Sequence, residues 1–422
     1  MKILLINYRY FVSGGPERYM FNVKSALEEE GHEVIPFSIH YPNNEESEYA
    51  NYFVSPLDDS GLVYFEQHKP DLKTYLKTIE RLFYSRDVEQ SLTELIEKTK
   101  PDVAYVLHYL RKLSPSILVA AKKMKVPIVV RLSDYQMICP QAHCLRDGVP
   151  CELCVGGSLY SSIRFRCIKG SKAASIINYA ATKYHLTRGY FNQIDKFVLT
   201  NEFAKQMMLK GGYDDSRVVV IPTFVKLSTV SNLDAYRGEY ITYIGRLDPT
   251  KGVELVVKAF CDMYETGQAD NIRLIVIGEG SERYKSKLMA ITQQHGACDN
   301  IQFLGQLEKE DVDSYLAGAL MNVVPSRWYE NLPNVVLESF SAGTPVIASD
   351  IGSLSEMLEG GKAGLLFESG SSSDLSTKIA ELVADKERLQ RMSVVCRRIA
   401  REKYSQQEHV ARLLAVFEDM IR

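Results

Sequence analysis

The chain has 422 residues, is 45% hydrophobic and 24% charged, and carries a formal net charge of −3 at pH 7. That length exceeds what one core supports and suits two domains of an ordinary soluble globular protein. No uninterrupted apolar run approaches the roughly 20 residues of a membrane span, and the opening MKILLINYRYF lacks the apolar length and cleavage site of a signal peptide. The expected location is cytoplasmic, with the eight cysteines reduced unless they bind metal.

Taken in order, Lys2–Asn7 is an apolar run that suits a buried parallel strand. A polar, glycine-bearing turn (Tyr8–Pro16) leads into a helix, Glu17–Glu30, stopped at Gly31, and then a strand, Val34–Ile39. Asn43–Gln90 has little strand character and reads as a helical and loop insertion. Val103–Leu107 and Pro127–Leu132 are further buried strands around a helix at Ser116–Lys123. Beyond a cysteine-rich loop come a long helix, Ala173–Asn192, and strands at Lys196–Leu199 and Val218–Ile221.

Periodicity is lost over Thr223–Arg237 and restarts with strand Tyr240–Gly245, a helix from Val253 and strand Arg273–Gly278. Helix Ser281–Gln294, strand Ile301–Leu304 and helix Lys309–Ala317 follow. Next comes a strand (Met321–Val324), a polar turn (Pro325–Leu332), and a helix (Pro333–Ser341) with Pro333 at its first position. Gly343 stops that helix before strand Pro345–Ala348, and amphipathic helices run from Asp374 to Arg422. Two runs of βα units predict an α/β protein of two facing Rossmann-like doubly wound domains. Their expected bounds are 1–225 and 236–400, with a helix at 401–422 packing back on the first domain.

Charge is uneven. Between Pro101 and Thr200 there are 14 Lys/Arg against 5 Asp/Glu, a surplus of nine, which leaves −12 for the remainder. A basic face suits an anionic partner such as a phospholipid surface or a diphosphate-linked acceptor, or is simply solvated. No nucleic-acid-binding module accompanies it, so nucleic acid is not an expected partner.

Ligands of such folds sit beyond the C-terminal ends of the strands. Behind the first strand stands Ser13-Gly14-Gly15-Pro16-Glu17, which allows close backbone approach but lacks the GxGxxG spacing of a dinucleotide site. Behind the strand at Tyr240 stands Gly245-Arg246-Leu247-Asp248-Pro249-Thr250-Lys251-Gly252, where Arg246 as a fork and Lys251 as a point charge suit a diphosphate. Gly278-Glu279-Gly280 and Leu304-Gly305-Gln306 are either base-pocket walls or plain turns. The backbone N–H groups near Asn331 and Leu332 precede a helix and suit an anion, and Glu330 and Glu338 beside them suit sugar hydroxyls.

The segments IGRLDPTKG, VIGEG, FLG and PSRWYENLPNVVLESFSAGTPVIAS, with Gly14-Gly15, VLHY, RLSDYQMICP and VVVIPT ahead of them, resemble the family 4 retaining glycosyltransferases of the GT-B fold over most of the chain. The resemblance implies a nucleoside-diphosphate sugar donor (UDP or GDP) and a saccharide or lipid-linked acceptor in surface polysaccharide synthesis. Arg246 and Lys251 would hold the diphosphate, with Gly14 and Gly15 approaching it from the opposite domain. Glu330 and the backbone of Asn331 and Leu332 would meet donor sugar and phosphate, Glu338 the ribose, and Ser326, Gly278 and Gly305 the rest of the donor. Retention follows if the acceptor attacks the face the diphosphate leaves and the departing phosphate takes its proton. No cofactor is required, since no paired-carboxylate element is placed for Mg²⁺.

Family members commonly carry His-Asp where this chain has Ser133-Asp134. Asp134 is therefore a catalytic candidate beside Glu330, Arg246 and Lys251, and His108 and Ser133 are candidates for touching sugar or acceptor. Cys139, Cys144, Cys151, Cys154 and Cys167 share one loop, where one CxxC and irregular spacings are compatible with structural zinc, reduced thiols or a disulfide. The basic, aromatic stretch Arg164–Phe191 has the composition of a helix that docks on an anionic membrane or faces a core. A nucleotide-sugar epimerase and a catalytically dead sugar-nucleotide-binding subunit remain alternative readings.

Overall fold

A computed structural model describes residues 1–57, 72–228, 238–269 and 271–422. The insertion expected at Asn43–Gln90 and the break at Thr223–Arg237 fall partly outside those residues. In the first half lie β1 (Lys2–Ile6), β2 (Glu33–Phe37), β3 (Val103–Val106), β4 (Ile128–Arg131), β5 (Leu145–Arg146), β6 (Val149–Pro150), β7 (Lys196–Leu199) and β8 (Val218–Val220). Six of these form a parallel sheet in the order β2-β1-β3-β4-β7-β8, while β5 and β6 make a small hairpin in the cysteine loop. In the second half, β9 (Tyr240–Ile244), β10 (Arg273–Ile277), β11 (Ile301–Gly305), β12 (Asn322–Val324), β13 (Val346–Ser349) and β14 (Gly364–Phe367) form a second sheet, β11-β10-β9-β12-β13-β14.

The inner strands are largely apolar because helices cover both faces of each sheet; Ile3, Leu4, Leu5 and Ile6 are at most 1% exposed. Strand order reverses between β1 and β3 and again between β9 and β12, which opens a crevice at the C-terminal strand ends of each sheet. Some details differ from the sequence reading. Pro333 is not the first helical residue but the N-cap, with ψ 119°, and the helix is Asn334–Ala342. β14 and the short helix Ser353–Met357 ahead of it were not anticipated, since four-residue GLLF is too short to show a period.

The chain crosses between the domains near Val225 and again near Tyr404, and the two crossings are joined by the Val225 N–H donating to the Tyr404 carbonyl at 2.9 Å. Beyond the second crossing, the helix Gln406–Ile421 lies on the first domain. Val410, Leu413 and Phe417 are buried there with Ile3, Leu5 and Tyr105. Tyr19 Oη bridges Tyr105 Oη (2.7 Å) and His409 Nε2 (3.0 Å), and His409 Nδ1 donates to the Pro222 carbonyl at 2.6 Å. This leaves Nε2 of the neutral imidazole as an acceptor.

Burial, reinforced by Arg131 and Arg412, lowers the His409 pKa from 6.5 to about 3. A depressed histidine pKa adds stability that is complete above the unfolded value and lost as pH falls toward the folded one. His409→Gln is expected to flatten the acid side of the stability profile, removing a slope of about 1.4 kcal/mol per pH unit below pH 6.5. Urea unfolding of both proteins between pH 7 and pH 5 checks it; parallel profiles contradict it.

Candidate functional site

The two crevices face each other across one cleft of about 1230 Å³. On the second domain, Asp248 caps the turn Pro249–Lys251 through the Thr250 N–H at 2.8 Å, and Gly252 follows with φ 72°. A Cβ on Gly252 would stand 1.9 Å from the Pro325 carbonyl oxygen, so only glycine lets the loop behind β9 lie against the strand end of β12. That contact brings Lys251 to Glu330. The Glu330 carboxylate is 7% exposed. Its Oε1 accepts from Lys251 Nζ (2.6 Å), Ser326 Oγ (2.6 Å) and Trp328 Nε1 (2.8 Å). Lys251 also lies 5.1 Å from the centre of the Trp328 ring.

Pro333 has no N–H, and the Val336 N–H bonds the Pro333 carbonyl at 3.0 Å. The N–H groups of Asn334 and Val335 therefore have no intrahelical acceptor, and both residues line the cleft. This is the anion-ready helix start expected from the sequence, placed three residues later than Asn331 and Leu332. Arg246 lines the same cleft, and no carboxylate pairs with it among the described residues. Facing them is Gly14-Gly15, where a Cβ on Gly15 would lie 3.1 Å from Asn334 Nδ2. The glycine turn thus approaches the helix start from the other domain.

Gly278, Ser326, Leu332, His108 and Ser133 also reach the cleft surface. Other expected residues do not. Asp134 is turned into its own loop, accepting from the Gln136 N–H (2.9 Å) and Nε2 (2.7 Å), with His108 Nε2 at 3.9 Å. Burial lowers the His108 pKa despite that carboxylate. Glu338 stands deeper along its helix, 3.7 Å from Lys309 and 4.0 Å from Arg18 of the first domain. Gly305 backs the wall, where a Cβ would meet Glu279 Oε1 at 2.8 Å. Asn331, by contrast, does line the cleft and also spans the domains: its Nδ2 donates to the Leu132 carbonyl (3.1 Å), its Oδ1 accepts from Thr200 Oγ1 (2.7 Å), and its carbonyl accepts from Asn201 Nδ2.

Several cleft residues were not foreseen. Arg9 donates to Ser13 Oγ (2.7 Å) and stands 3.5 Å from Glu17, which is 2% exposed. Arg131 bonds Ser133 Oγ (2.7 Å) and Thr223 Oγ1 and stacks 3.8 Å from the Tyr19 ring centre. Arg9 and Glu17, eight apart around the glycine turn, were visible as a charge pair; Arg131, inside an apolar strand, gave no such signal.

The cysteine loop braces the cleft from outside. His143 packs edge-on to Trp328 at 5.0 Å, and Glu152, within the CxxC, accepts from Tyr329 Oη at 2.8 Å. Cys139, Cys151, Cys154 and Cys167 line one small enclosed cavity, and Cys144 is buried beside them. The Cys144 thiol and the N–H groups of Gln141, Cys144 and Ala142 pull the Cys139 pKa down to about 6. All eight cysteines are free thiols, and among the described residues no three His, Cys, Asp or Glu side chains are placed to hold a metal.

Residues 231–397 match the family described as Glycosyl transferases group 1. D-inositol 3-phosphate glycosyltransferase of Nocardia farcinica is 27% identical over 209 residues, 46% of this chain and 46% of that protein. An uncharacterized 42.6 kDa protein in the cps region of Klebsiella pneumoniae is 24% identical over 365 residues, 85% of this chain and 87% of that one. The chain spans about half the length, or less, of curated glycosyltransferases that it matches. The solved structure of Anabaena Alr3699/HepE in complex with UDP and glucose has a TM-score of 0.66 at 15% identity, over 99% of this chain and 100% of that chain. Two Rossmann-like domains facing across a cleft make this a GT-B fold.

Gly252→Ala is expected to lower stability by more than about 2 kcal/mol, since it adds a backbone clash to a left-handed conformation. Gly31→Ala, also at positive φ but facing open space, should cost only about 1 kcal/mol. Denaturant titration of the two variants measures the difference; equal costs would show that the Pro325 contact yields freely.

Proposed function

We propose that this protein, whose second domain matches the glycosyl transferases group 1 family, moves a hexose-type sugar from a nucleoside-diphosphate sugar to a saccharide or lipid-linked acceptor. The observation that carries the reading is the start of the Asn334–Ala342 helix, open to the cleft between Arg246, Lys251 and the Gly14-Gly15 turn. Departure of the nucleoside diphosphate builds charge on a phosphate oxygen. Two cations and a helix start stabilise that charge where it develops, and being fixed in place they cost no reorganisation.

Glu330 is held as an acceptor by three donors and would bind a donor-sugar hydroxyl. Glu338, beyond the helix start, would take the ribose once Arg18 and Lys309 give way. The acceptor hydroxyl would attack the anomeric carbon on the face the diphosphate leaves, and its proton would pass to the departing phosphate oxygen, giving retention. Asp134, engaged by Gln136, and His108, held neutral by burial, would border the acceptor. The Anabaena protein in complex with UDP and glucose supports UDP over GDP as the first donor base to test.

Peripheral contact with an anionic membrane is part of this reading. The helix Leu72–Phe83 exposes Leu72, Leu76 and Ile79 (76%, 59% and 41%), which share one face by spacing. It packs on the helix Lys172–Thr187, which exposes Ile176 and Ile177, with Phe165 exposed nearby and Arg164, Arg166, Lys169 and Lys172 exposed around them. Exposed apolar side chains rimmed by cations suit a bilayer surface. No described helix is long and apolar enough to cross a membrane.

In a thermal-shift panel of UDP, GDP and ADP, one nucleotide is expected to stabilise the wild type by about 2.7 kcal/mol at a hundredfold excess over Kd. Glu338→Ala should lose most of that shift. Anomer-resolved NMR of the product with the matching sugar donor then reads the stereochemistry, and an inverted product sinks the retaining mechanism. Vesicles of phosphatidylglycerol and phosphatidylcholine should co-sediment the protein at low salt, and Leu76→Asp should weaken that at least tenfold. Equal binding to pure phosphatidylcholine would remove the electrostatic part of the membrane reading.

A further inference from the structure

The cysteine loop opens with a tight turn that brings two thiols together. The Cys139 N–H donates to the Tyr135 carbonyl (2.8 Å), the Ala142 N–H to the Cys139 carbonyl (2.8 Å), and the Tyr135 N–H to the Ala142 carbonyl (2.9 Å). Ala142 (φ 79°) and Cys144 (φ 47°) are both left-handed, a backbone that is costly for them and persists where its surroundings fix it. Beyond the turn, the Cys151 N–H donates to the Cys144 carbonyl at 2.7 Å, alongside the β5–β6 hairpin. The Cys144 thiol is hydrogen-bonded to the Cys139 sulfur, and the N–H groups of Gln141, Ala142 and Cys144 reach the same atom.

Donors gathered on one sulfur favour its thiolate, the form that oxidants attack. The largest influence on the Cys139 thiol is its hydrogen bond with Cys144, whereas Cys154 and Cys167 interact with it through charge. Cys144 is therefore the thiol placed to react with an oxidised Cys139. Cys139 is 8% exposed, and the cavity it shares with the partly exposed Cys151, Cys154 and Cys167 has room for about one water-sized molecule. A small hydroperoxide fits that route and a bulky reagent does not. The turn also touches the neighbours of Glu330. His143, between Ala142 and Cys144, packs edge-on to Trp328 at 5.0 Å, and Tyr135 packs edge-on to Tyr329 at 6.5 Å. Trp328 Nε1 donates to Glu330 Oε1 (2.8 Å), and its ring centre lies 5.1 Å from Lys251.

We propose that Cys139 and Cys144 form an oxidisable dithiol, a modification site that a hydroperoxide converts to a disulfide and that His143 and Trp328 couple to Glu330. The Cys139 thiolate attacks one peroxide oxygen, the O–O bond breaks, and the departing hydroxide takes a proton from solvent. The Cys144 sulfur then attacks the sulfenic sulfur so formed. The S–S bond forms, the S–O bond breaks, and the oxygen leaves as water with the Cys144 proton. Two thiols lose two electrons, and one hydrogen peroxide becomes two waters. A disulfide draws its sulfurs to about 2.05 Å, well inside a hydrogen-bonded separation, so closing it pulls on the backbone that carries His143 against Trp328. The dithiol stands apart from the transferase reading; only its effect on nucleotide binding rests on that reading.

The test treats the reduced full chain with a small excess of hydrogen peroxide, as wild type, Cys139→Ala, Cys144→Ala and His143→Ala. Cys139 and Cys144 fall in one tryptic peptide, Leu132–Arg146. After alkylation that peptide is expected to be unalkylated and lighter by two hydrogens, with the other cysteines alkylated. Trp328 is the only tryptophan of the chain. Its emission should shift on oxidation, return with dithiothreitol, and stay fixed in both cysteine variants. His143→Ala should keep the disulfide and lose most of the emission shift. UDP affinity, read by thermal shift, should fall at least threefold in the oxidised wild type. Should a variant not fold, the wild-type peptide mass and emission still decide the outcome. A fully alkylated peptide, a disulfide formed elsewhere instead, stoichiometric zinc in the reduced protein, or emission unchanged by oxidation overturns the proposal. So does UDP affinity that is equal before and after. If no nucleotide shifts the reduced wild type, the transferase reading fails instead, and peptide mass and emission still decide the dithiol.

Discussion

The cleft depends on a carboxylate kept out of water. Glu330 is 7% exposed, and a buried carboxylate persists only when donors replace the water it has lost. It has three on one oxygen, from Lys251, Ser326 and Trp328, while Ser353 Oγ donates to its backbone carbonyl at 2.8 Å. The four donors come from three segments: Lys251 from the loop behind β9, Ser326 and Trp328 from the turn behind β12, and Ser353 from the helix behind β13. Fixing this one residue, carboxylate and carbonyl together, therefore ties three strand-end segments to one another. Gly252 makes the arrangement possible, because the Lys251 loop reaches Glu330 only by lying on the Pro325 carbonyl.

The same turn also ties the domains together. Tyr329 and Asn331 flank Glu330 in sequence and turn away from the second domain, Tyr329 to Glu152 and Asn331 to Leu132, Thr200 and Asn201. Trp328 meets His143 of the cysteine loop. A shift of one domain against the other is thus felt by the neighbours of the buried carboxylate. The contacts are a handful of hydrogen bonds and ring edges rather than a continuous apolar seam, and small polar interfaces of this kind suit domains that move relative to one another.

The two walls of the cleft carry their charge differently. On the second domain, Lys251 is tied to Glu330 while Arg246 and the N–H groups of Asn334 and Val335 carry the net positive potential. On the first, Arg9 stands 3.5 Å from Glu17, and Arg131 bonds the hydroxyls of Ser133 and Thr223 over the Tyr19 ring.

The sequence by itself determined the two parallel sheets and most helix positions, because strands covered on both faces read as unbroken apolar runs and each βα unit repeats that signal locally. It also determined that Lys251, Glu330 and a helix start share one loop region, since all three follow strands of the second sheet. Only the tertiary structure decided which of these groups meet. Pro333 lacks an N–H and adopts extended ψ, which moves the open N–H groups to Asn334 and Val335. Asp134 looked free in sequence, but the residue two places on supplies both its partners. Arg131 gave no signal because Thr223 and Tyr19, which engage its guanidinium, are far from it in the chain. A side chain's solvent and its counter-charge are set by segments far apart in the chain, so whether a cation is a solvated surface group or half of a binding site is settled only when those segments pack.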